Sequence, residues 1–487
     1  MRVFLSKSQF TRGMQCHKSL WLNKNKPELR AEPDAATQAK FDAGHEVGTL
    51  AQQLFPGGVL IEFDRERFEE KLKETQAAIA AGAKTIYEAA FSYEDVFVMV
   101  DILHKEARGW ELYEVKSTTG VKEYHIPDTA VQYYVLSGAG LKVVKASVVH
   151  LNNEYVRQGK LQVKSLFTIS DITDRVLDLQ AEIKDELAKQ RRMLSKVIPN
   201  IDIGPHCSDP YECDFWDECW KMIPADSVFD LRERGVDKFK LYREGIIKQR
   251  DIPLDMLNAK QRFQVESTLK KKSKIETSEI ADFLKQLWYP LCYLDFETFR
   301  SPIPLYDGSW PYQQMPFQYS AYVQENEGGK LIHHEFLAQP GEDPRKAFLE
   351  SLVGMVPKGA CIVAYNATFE IGRLKELAEL FPKHKAQLDK MIDSFVDLMR
   401  PFKHRHVYFW QVKGSYSLKE VLPALVSGMG YEGMEIADGG MAEQAYLDMC
   451  STDDVKERAR IRKALLEYCK QDTLGMVEIV KKLRTLL

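Results

Sequence analysis

Twice along this chain, short apolar strand-like runs alternate with amphipathic helix-like segments. Between the two tracts lies a charged stretch with no strand signal. Residues 1–220 form the first tract, 221–284 the interruption and 285–487 the second. Strand–helix alternation lets helices cover the faces of a sheet, so each tract builds its own core. At 487 residues the chain is also too long for a single ordinary core. The expectation is two α/β domains joined by a helical linker at 221–284.

In the first tract, helices are expected over 35–55, 66–82, 126–138 and 171–196. Strands are expected in "KTIYEAAFSY", "VFVMVDILHKE", "WELYEVKS" and "VKASVVHLN". In the second, "WYPLCYLDFETF", "FQYSAYVQE", "LIHHEFLA" and "ACIVAYN" read as strands. Helices follow near 344–355, over "ATFEIGRLKELAELF", and in one long run from Asp453 to the C-terminus. No apolar run approaches ~18–20 residues, so no membrane-spanning helix is expected. The start, "MRVFLSKSQFTRG", lacks the apolar centre of a secretory signal. A cytoplasmic protein with no membrane partner is the expectation. The formal net charge of −4 argues against a surface that coats nucleic acid all over, but allows a local basic groove.

Three places carry chemistry. In "YLDFET", Asp295 and Glu297 are two residues apart on a strand, so both carboxylates leave the same face. Like charges that close raise each other's proton affinity unless a cation lies between them. Glu370 begins the helix after "ACIVAYN", and Tyr468 and Asp472 are one turn apart on the last helix. Four acids from a strand and two helices can hold two divalent ions, Mg2+ or Mn2+, which clamp the oxygens of a phosphodiester. Tyr468 would orient or deprotonate the attacking water, and Asn366 and Phe369 would support the site. Asp393 and Asp397 are rival acids. In the first tract, Asp101 ends one strand and Glu114 and Lys116 form E-x-K on the next, giving two metal ligands and a cation that steadies developing charge. Gln132 and Tyr133, on the following helix, are placed to contact substrate or water. The third place is a set of cysteines, Cys207, Cys213 and Cys219 at even spacing, with Cys16 far upstream. Four thiolates suit a [4Fe–4S] cluster or an all-thiolate zinc site, and free buried thiols are the plain alternative. Cys292, Cys361, Cys450 and Cys469 read as packing residues. "KHRHVYFW", residues 403–410, interleaves bases and aromatics as a single-strand stacking groove would.

These motifs carry resemblances. "DFE", "YNATFE" and "YCKQD" resemble the three motifs of the DEDD superfamily of RNase H-like 3′→5′ exonucleases, over about 200 residues. That resemblance implies Asp295, Glu297, Glu370 and Asp472 as metal ligands and Tyr468 as the water-positioning residue. The second motif normally ends in Asp, where this chain has Glu370. Asp101, E-x-K and the downstream Gln132 and Tyr133 resemble the PD-(D/E)XK nucleases in their RecB-type branch. That branch often carries G-x-x-x-H with a metal-binding histidine. "GHEVG" has Gly48 there instead, with His45 one turn earlier as the substitute. Cys16 after "S-x-S", with the trailing trio, is similar to the iron–sulfur RecB-type nucleases, including the CRISPR-associated family. The trailing spacing departs from theirs, which is usually tighter at its first step. The whole chain resembles a bacterial family, itself uncharacterised, that fuses the two domain types. The implied fold is a PD-(D/E)XK restriction-endonuclease-like domain followed by an RNase H-like domain. The implied function is a metal-dependent nuclease with two active sites, acting on DNA in repair or defence. RNA as substrate, a clamp with only the second site active, and a non-catalytic nucleic-acid scaffold stay open.

Overall fold

The computed structural model describes residues 4–62 and 67–487. They fall into two compact units, Met1–Met222 with Ser301–Tyr312, and Ile223–Arg300 with Gln313–Leu487. Both are mixed α/β. Among the described residues no helix is long and apolar enough to cross a membrane.

The first unit holds a seven-stranded sheet of β1 (Leu5–Ser6), β2 (Val59–Leu60), β3 (Thr85–Tyr93), β4 (Val96–Glu106), β5 (Gly109–Lys116), β6 (Val143–Leu151) and β7 (Phe167–Asp171). Its order is β2-β3-β4-β5-β6-β7, with β1 parallel to the start of β4. β5 and β6 run parallel, and the helix His125–Gly138 is the crossover such a pair needs. One irregularity organises the site. Val96, Val98 and Val100 of β4 share a core with Leu103, and Ile86 of β3 shares it with Ala89 and Phe91. Those odd steps mean that the pleat changes phase at Glu88 and Asp101. Glu88 absorbs the change at φ +53°, a conformation that costs a non-glycine residue about 1–3 kcal/mol. β4 pairs with β1 at Val96 and Phe97 and with β5 only from Ile102 onward, so Asp101 sits in the gap between them.

The helix expected over 66–82 is Phe68–Ala80, and residue 66 lies outside the described residues. The single helix expected over 171–196 is two, Thr173–Asp178 and Gln180–Leu194. The start is delayed because the Asp171 carboxylate accepts from the Thr173 N–H at 2.9 Å. Residues Ser301–Tyr312 were not expected here. Ile303 joins the core of Val47, Tyr113 and Val149, and the Tyr312 hydroxyl donates to the Ser117 carbonyl.

The second unit contains β8 (Lys274–Ile275), β9 (Leu291–Phe299), β10 (Met315–Gln324), β11 (Leu331–Leu337), β12 (Cys361–Ala364), β13 (Phe395–Asp397) and β14 (Val407–Tyr408). Its five-stranded sheet runs β11-β10-β9-β12-β13. The first three strands are antiparallel, and β12 and β13 continue parallel to β9. β9 is central and covered on both faces, which explains its continuous apolar lead-in. Cys292, Leu294 and Phe296 share one core with Phe348 and Leu374 from the helices Pro344–Met355 and Thr368–Leu380. Leu291 and Tyr293 face the opposite core, with Met476 and Ile479 of the final helix, Val455–Thr485. Asp295 and Glu297 extend that second row, so the period-two pattern aims them at the final helix.

Residues 221–284, expected as a helical linker between two cores, pack around a small core of their own: Val228, Leu231, Leu241, Ile252, Leu257 and Val265. β8 pairs with β14 and ties this stretch to the rest of the unit.

Candidate functional site

The second unit gathers the acids expected of it. The buried stripe of the final helix reads Ile461, Ala464, Leu465, Tyr468, Cys469, Asp472, Thr473 and Met476. It is an ordinary helical stripe that carries Tyr468, Cys469 and Asp472 among its apolar residues. Asp472 is 6 % exposed, Glu297 7 % and Glu370 2 %. Among the described residues, Asp295, Glu297 and Cys469 alone form a trio of metal-ligating side chains whose donor atoms all lie within 4.8 Å of one another. The Cys469 Sγ stands 3.6 Å from Asp295 Oδ2.

The electrostatics are those of an under-compensated cluster. Burial, then Asp472, Glu297 and Glu370, pushes the Asp295 carboxyl far above the usual range. Burial, Asp472 and Glu370 do the same to Glu297, against the pull of Lys419. Burial raises Glu370 to about 8, and its Oε2 has no hydrogen-bond partner. Asp472 rises less, to about 6; burial is the cause, and a hydrogen bond from Tyr431, the Lys419 charge and a hydrogen bond from Tyr468 oppose it. Burial and the surrounding acids hold the Tyr468 phenol well above its ordinary value. Its hydroxyl donates a hydrogen bond to Asp472.

Four neighbours were not anticipated. Cys469 was expected as packing and lies among the acids. The Tyr431 hydroxyl donates to Asp472. Lys419 lies 5.8 Å from the Tyr431 ring centre and 5.9 Å from that of Tyr468, and Asp438 adds negative charge beside Glu297. The rival acids do not replace Glu370. Asp393 is exposed, and Asp397 Oδ1 accepts from the N–H groups of Asn366 and Met399, both at 2.9 Å. Asn366 is exposed, at φ +69°. Phe369 packs against the core below, with Arg373 over its ring.

In the first unit, Asp101 and the E-x-K pair also converge. Asp101 Oδ2 accepts from the Val115 N–H at 2.6 Å, filling the gap in the ladder. Glu114, 1 % exposed, accepts from Lys116 Nζ at 2.6 Å, Lys7 Nζ at 2.9 Å and Gln132 Nε2 at 2.6 Å. Burial pushes the Glu114 carboxyl up, but the two lysines and these hydrogen bonds outweigh it and hold it well below the ordinary value. Burial and the charges of Glu114 and Glu88 raise Asp101 to about 8, against both lysines. Asp128 pairs with Lys116. Lys7, Glu88 and Asp128 were not expected from the sequence.

Two expected residues lie elsewhere. Tyr133 follows Gln132 by about 100° around the helix, so its ring packs on the core and its hydroxyl faces the Val143 carbonyl at 3.4 Å. His45 is exposed, with Nδ1 2.8 Å from the Phe41 carbonyl. Its charge acts on Glu88.

Cys16, Cys207, Cys213 and Cys219 line one pocket with Ser19, His206 and Phe215. The loop between Cys207 and Cys213 carries Tyr211 against Tyr124, with ring centres 5.0 Å apart. Lys116 and Asp128 are close enough to act on the Tyr211 phenol. The stacking groove expected at 403–410 is not one. Tyr408 is buried, and Arg405, 8 % exposed, is held over the Phe263 ring.

Residues 292–417 match a family model described as "Domain of unknown function (DUF2779)". The match includes Asp295, Glu297 and Glu370 and stops before Cys469 and Asp472. The chain is 26 % identical over 230 residues to "Uncharacterized protein MG366" of Mycoplasma genitalium, covering 43 % of this chain and 34 % of that protein. It is 23 % identical over 343 residues to "Uncharacterized protein UU173" of Ureaplasma parvum serovar 3, covering 63 % of this chain and 49 % of that one. The chain thus spans about a third to a half of the length of these relatives.

Proposed function

We propose that this chain is a metal-dependent nuclease with two active sites, hydrolysing phosphodiester bonds of DNA. The observation that carries the reading is the set of four carboxylates, Asp295, Glu297, Glu370 and Asp472. They are brought together from one strand and two helices with one buried oxygen unpartnered, and the counter-charges of Lys419 and Arg373 leave them raised. Buried acids of one sign call for a cation. The strand order β11-β10-β9-β12-β13, with acids on the central strand, supports an RNase H-like fold for the second unit. Asp101, Glu114 and Lys116 beside a parallel β5–β6 pair support a PD-(D/E)XK fold for the first.

Mg2+ or Mn2+ held by the second-unit acids would supply Lewis-acid polarisation of a phosphoryl oxygen and a water of lowered pKa. Tyr431 and Tyr468 fix the Asp472 carboxylate by hydrogen bonds. Lys419 supplies a resident positive charge for the anionic phosphate. In the first unit, Lys116 holds Glu114 in its ionised form and stands ready to meet developing negative charge. Gln132 orients the second Glu114 oxygen.

The four cysteines line one pocket and would hold a [4Fe–4S] cluster, with an all-thiolate zinc as the alternative. When bound, a [4Fe–4S] group would pin Cys16 to the trailing loop. The test is incubation of the anaerobically purified chain with end-labelled single- and double-stranded DNA and RNA, with Mn2+, Mg2+ or chelator. Chelator-sensitive shortening of DNA is expected. No cleavage of any substrate with either ion would overturn the reading.

A further inference from the structure

Cys469 has no role in the hydrolytic reading, yet it lies inside the acid cluster. It is fully buried on the final helix, one turn before Asp472 and beside Tyr468. Its sulfur is 3.6 Å from Asp295 Oδ2 and 3.9 Å from the Asp295 carbonyl oxygen. A buried thiol meeting a carboxyl can be a weak hydrogen bond and nothing more. The distance has a second meaning. A tetrahedral ion ~2.1 Å from a carboxylate oxygen and ~2.3 Å from a thiolate sulfur holds those donors about 3.6 Å apart. That is the separation found here. A second, independent sign of a missing partner is the unpaired Glu370 Oε2, on a side chain 2 % exposed whose charge is felt by both Asp295 and Glu297.

We infer that Cys469 is itself a metal ligand, completing a site with Asp295 and Glu297 that takes a thiophilic divalent cation, zinc foremost, in preference to magnesium. Magnesium is a hard ion that keeps an octahedral shell of oxygens, and a sulfur ligand disfavours it. Zinc accepts mixed sulfur and oxygen donors in a small tetrahedral site. On binding, the thiol proton leaves for bulk water as the sulfur–metal bond forms, so charge and atoms balance without a redox partner. The inference rests on reading the acid cluster as a metal centre, and not on what that centre does to nucleic acid.

Cobalt replaces zinc in such sites and reports its ligands, because a thiolate–cobalt bond gives a near-ultraviolet charge-transfer absorption that carboxylates do not. The full chain, its Cys469→Ser variant and its Asp295→Asn variant are titrated with Co2+, and zinc affinity is then read by competition against a chelating dye. The four-cysteine pocket contributes equally to all three chains, so the difference spectrum isolates Cys469. The wild type should show one extra sulfur–cobalt absorption that both variants lack. Zinc affinity should fall on the order of ten- to a hundredfold in Cys469→Ser, with magnesium affinity unchanged. Identical spectra and equal zinc affinity in wild type and Cys469→Ser would overturn the inference and leave Cys469 a hydrogen-bonded core thiol. If Cys469→Ser does not fold, Asp295→Asn decides the question in its place, since it removes the neighbouring ligand and leaves the thiol where it is. A chain that shows the absorption but cleaves nothing would refute the nuclease reading and leave this one standing.

Discussion

Replacing Glu370 by glutamine keeps the shape of a side chain that is 2 % exposed and removes its charge. Burial raises this carboxyl from 4.5 to about 8. The folded chain therefore holds the proton more tightly than the unfolded chain. The stability this confers is complete below pH ~4.5 and is lost as the pH climbs through about 8. A shift of about 3.5 units corresponds to about 5 kcal/mol at full ionisation, an upper figure because the site can relax and admit water. At pH ~4, below the ordinary carboxylate value, Glu370 is largely protonated in the folded and unfolded wild type alike, and Glu370→Gln should melt within a degree or two of it. At pH 9, in chelator, the variant should melt higher by ~10 °C, at ~2–4 °C per kcal/mol for a unit of this size. Calorimetry of both full-length chains at the two pH values is the assay. Mn2+ at a hundred times its dissociation constant should return about 3 kcal/mol to the wild type at pH 9 and much less to the variant. Equal melting of the two chains at pH 9 in chelator would refute the argument, because it would mean that the cluster carries no unrelieved charge.

Lys116→Ala should leave the fold intact, because Lys7 still neutralises Glu114 at 2.9 Å. It should remove one of two separable cleavage activities by a hundredfold or more, read from product patterns on a labelled duplex. Cys16→Ser should lower iron content from about four atoms per chain to near zero and turn a brown protein colourless. Bound zinc in place of iron in the wild type would contradict that. Tyr468→Phe removes one of the two hydrogen bonds that orient Asp472, so metal affinity should stay within a few-fold while turnover falls ~10- to 100-fold. A matching loss of metal affinity would give the tyrosine a ligand-holding role instead.

The sequence is most informative where periodicity and chemistry coincide. Asp295 and Glu297 continue the odd-numbered row of an apolar strand, so their direction follows from the pleat alone. Asp472 interrupts a buried helical stripe, and a charged residue there requires a reason. The same stripe holds Cys469 three residues earlier, a signal that reads as packing because cysteine is common in cores. Lys7 and Glu88 are a different case. They reach Glu114 or Asp101 through long-range packing that nothing local marks, whereas Asp128 lies one turn before Gln132 on the same helix, a local signal that was there to be read. Glu88 in particular depends on a phase change that two strands make together. Tyr133 fails because a one-residue step turns a helix by about 100°, so Gln132 and Tyr133 cannot share a site. The stretch 403–410 misleads because alternating bases and aromatics also describe a core in which Arg405 lies over Phe263. Tyr431 and Asp438 lie in connecting segments outside any helix or strand, and Lys419 is one polar residue on the short helix Leu418–Leu425, so no periodicity singles them out.

The most direct test of two hydrolytic centres is single-turnover cleavage of end-labelled DNA, with Mn2+, by four proteins: wild type, Lys116→Ala, Asp295→Ala and the double variant. The two single variants should each retain a different part of the wild-type product pattern, and the double variant should cleave no faster than buffer. A double variant that cuts at the wild-type rate would place the chemistry outside both clusters and contradict the account.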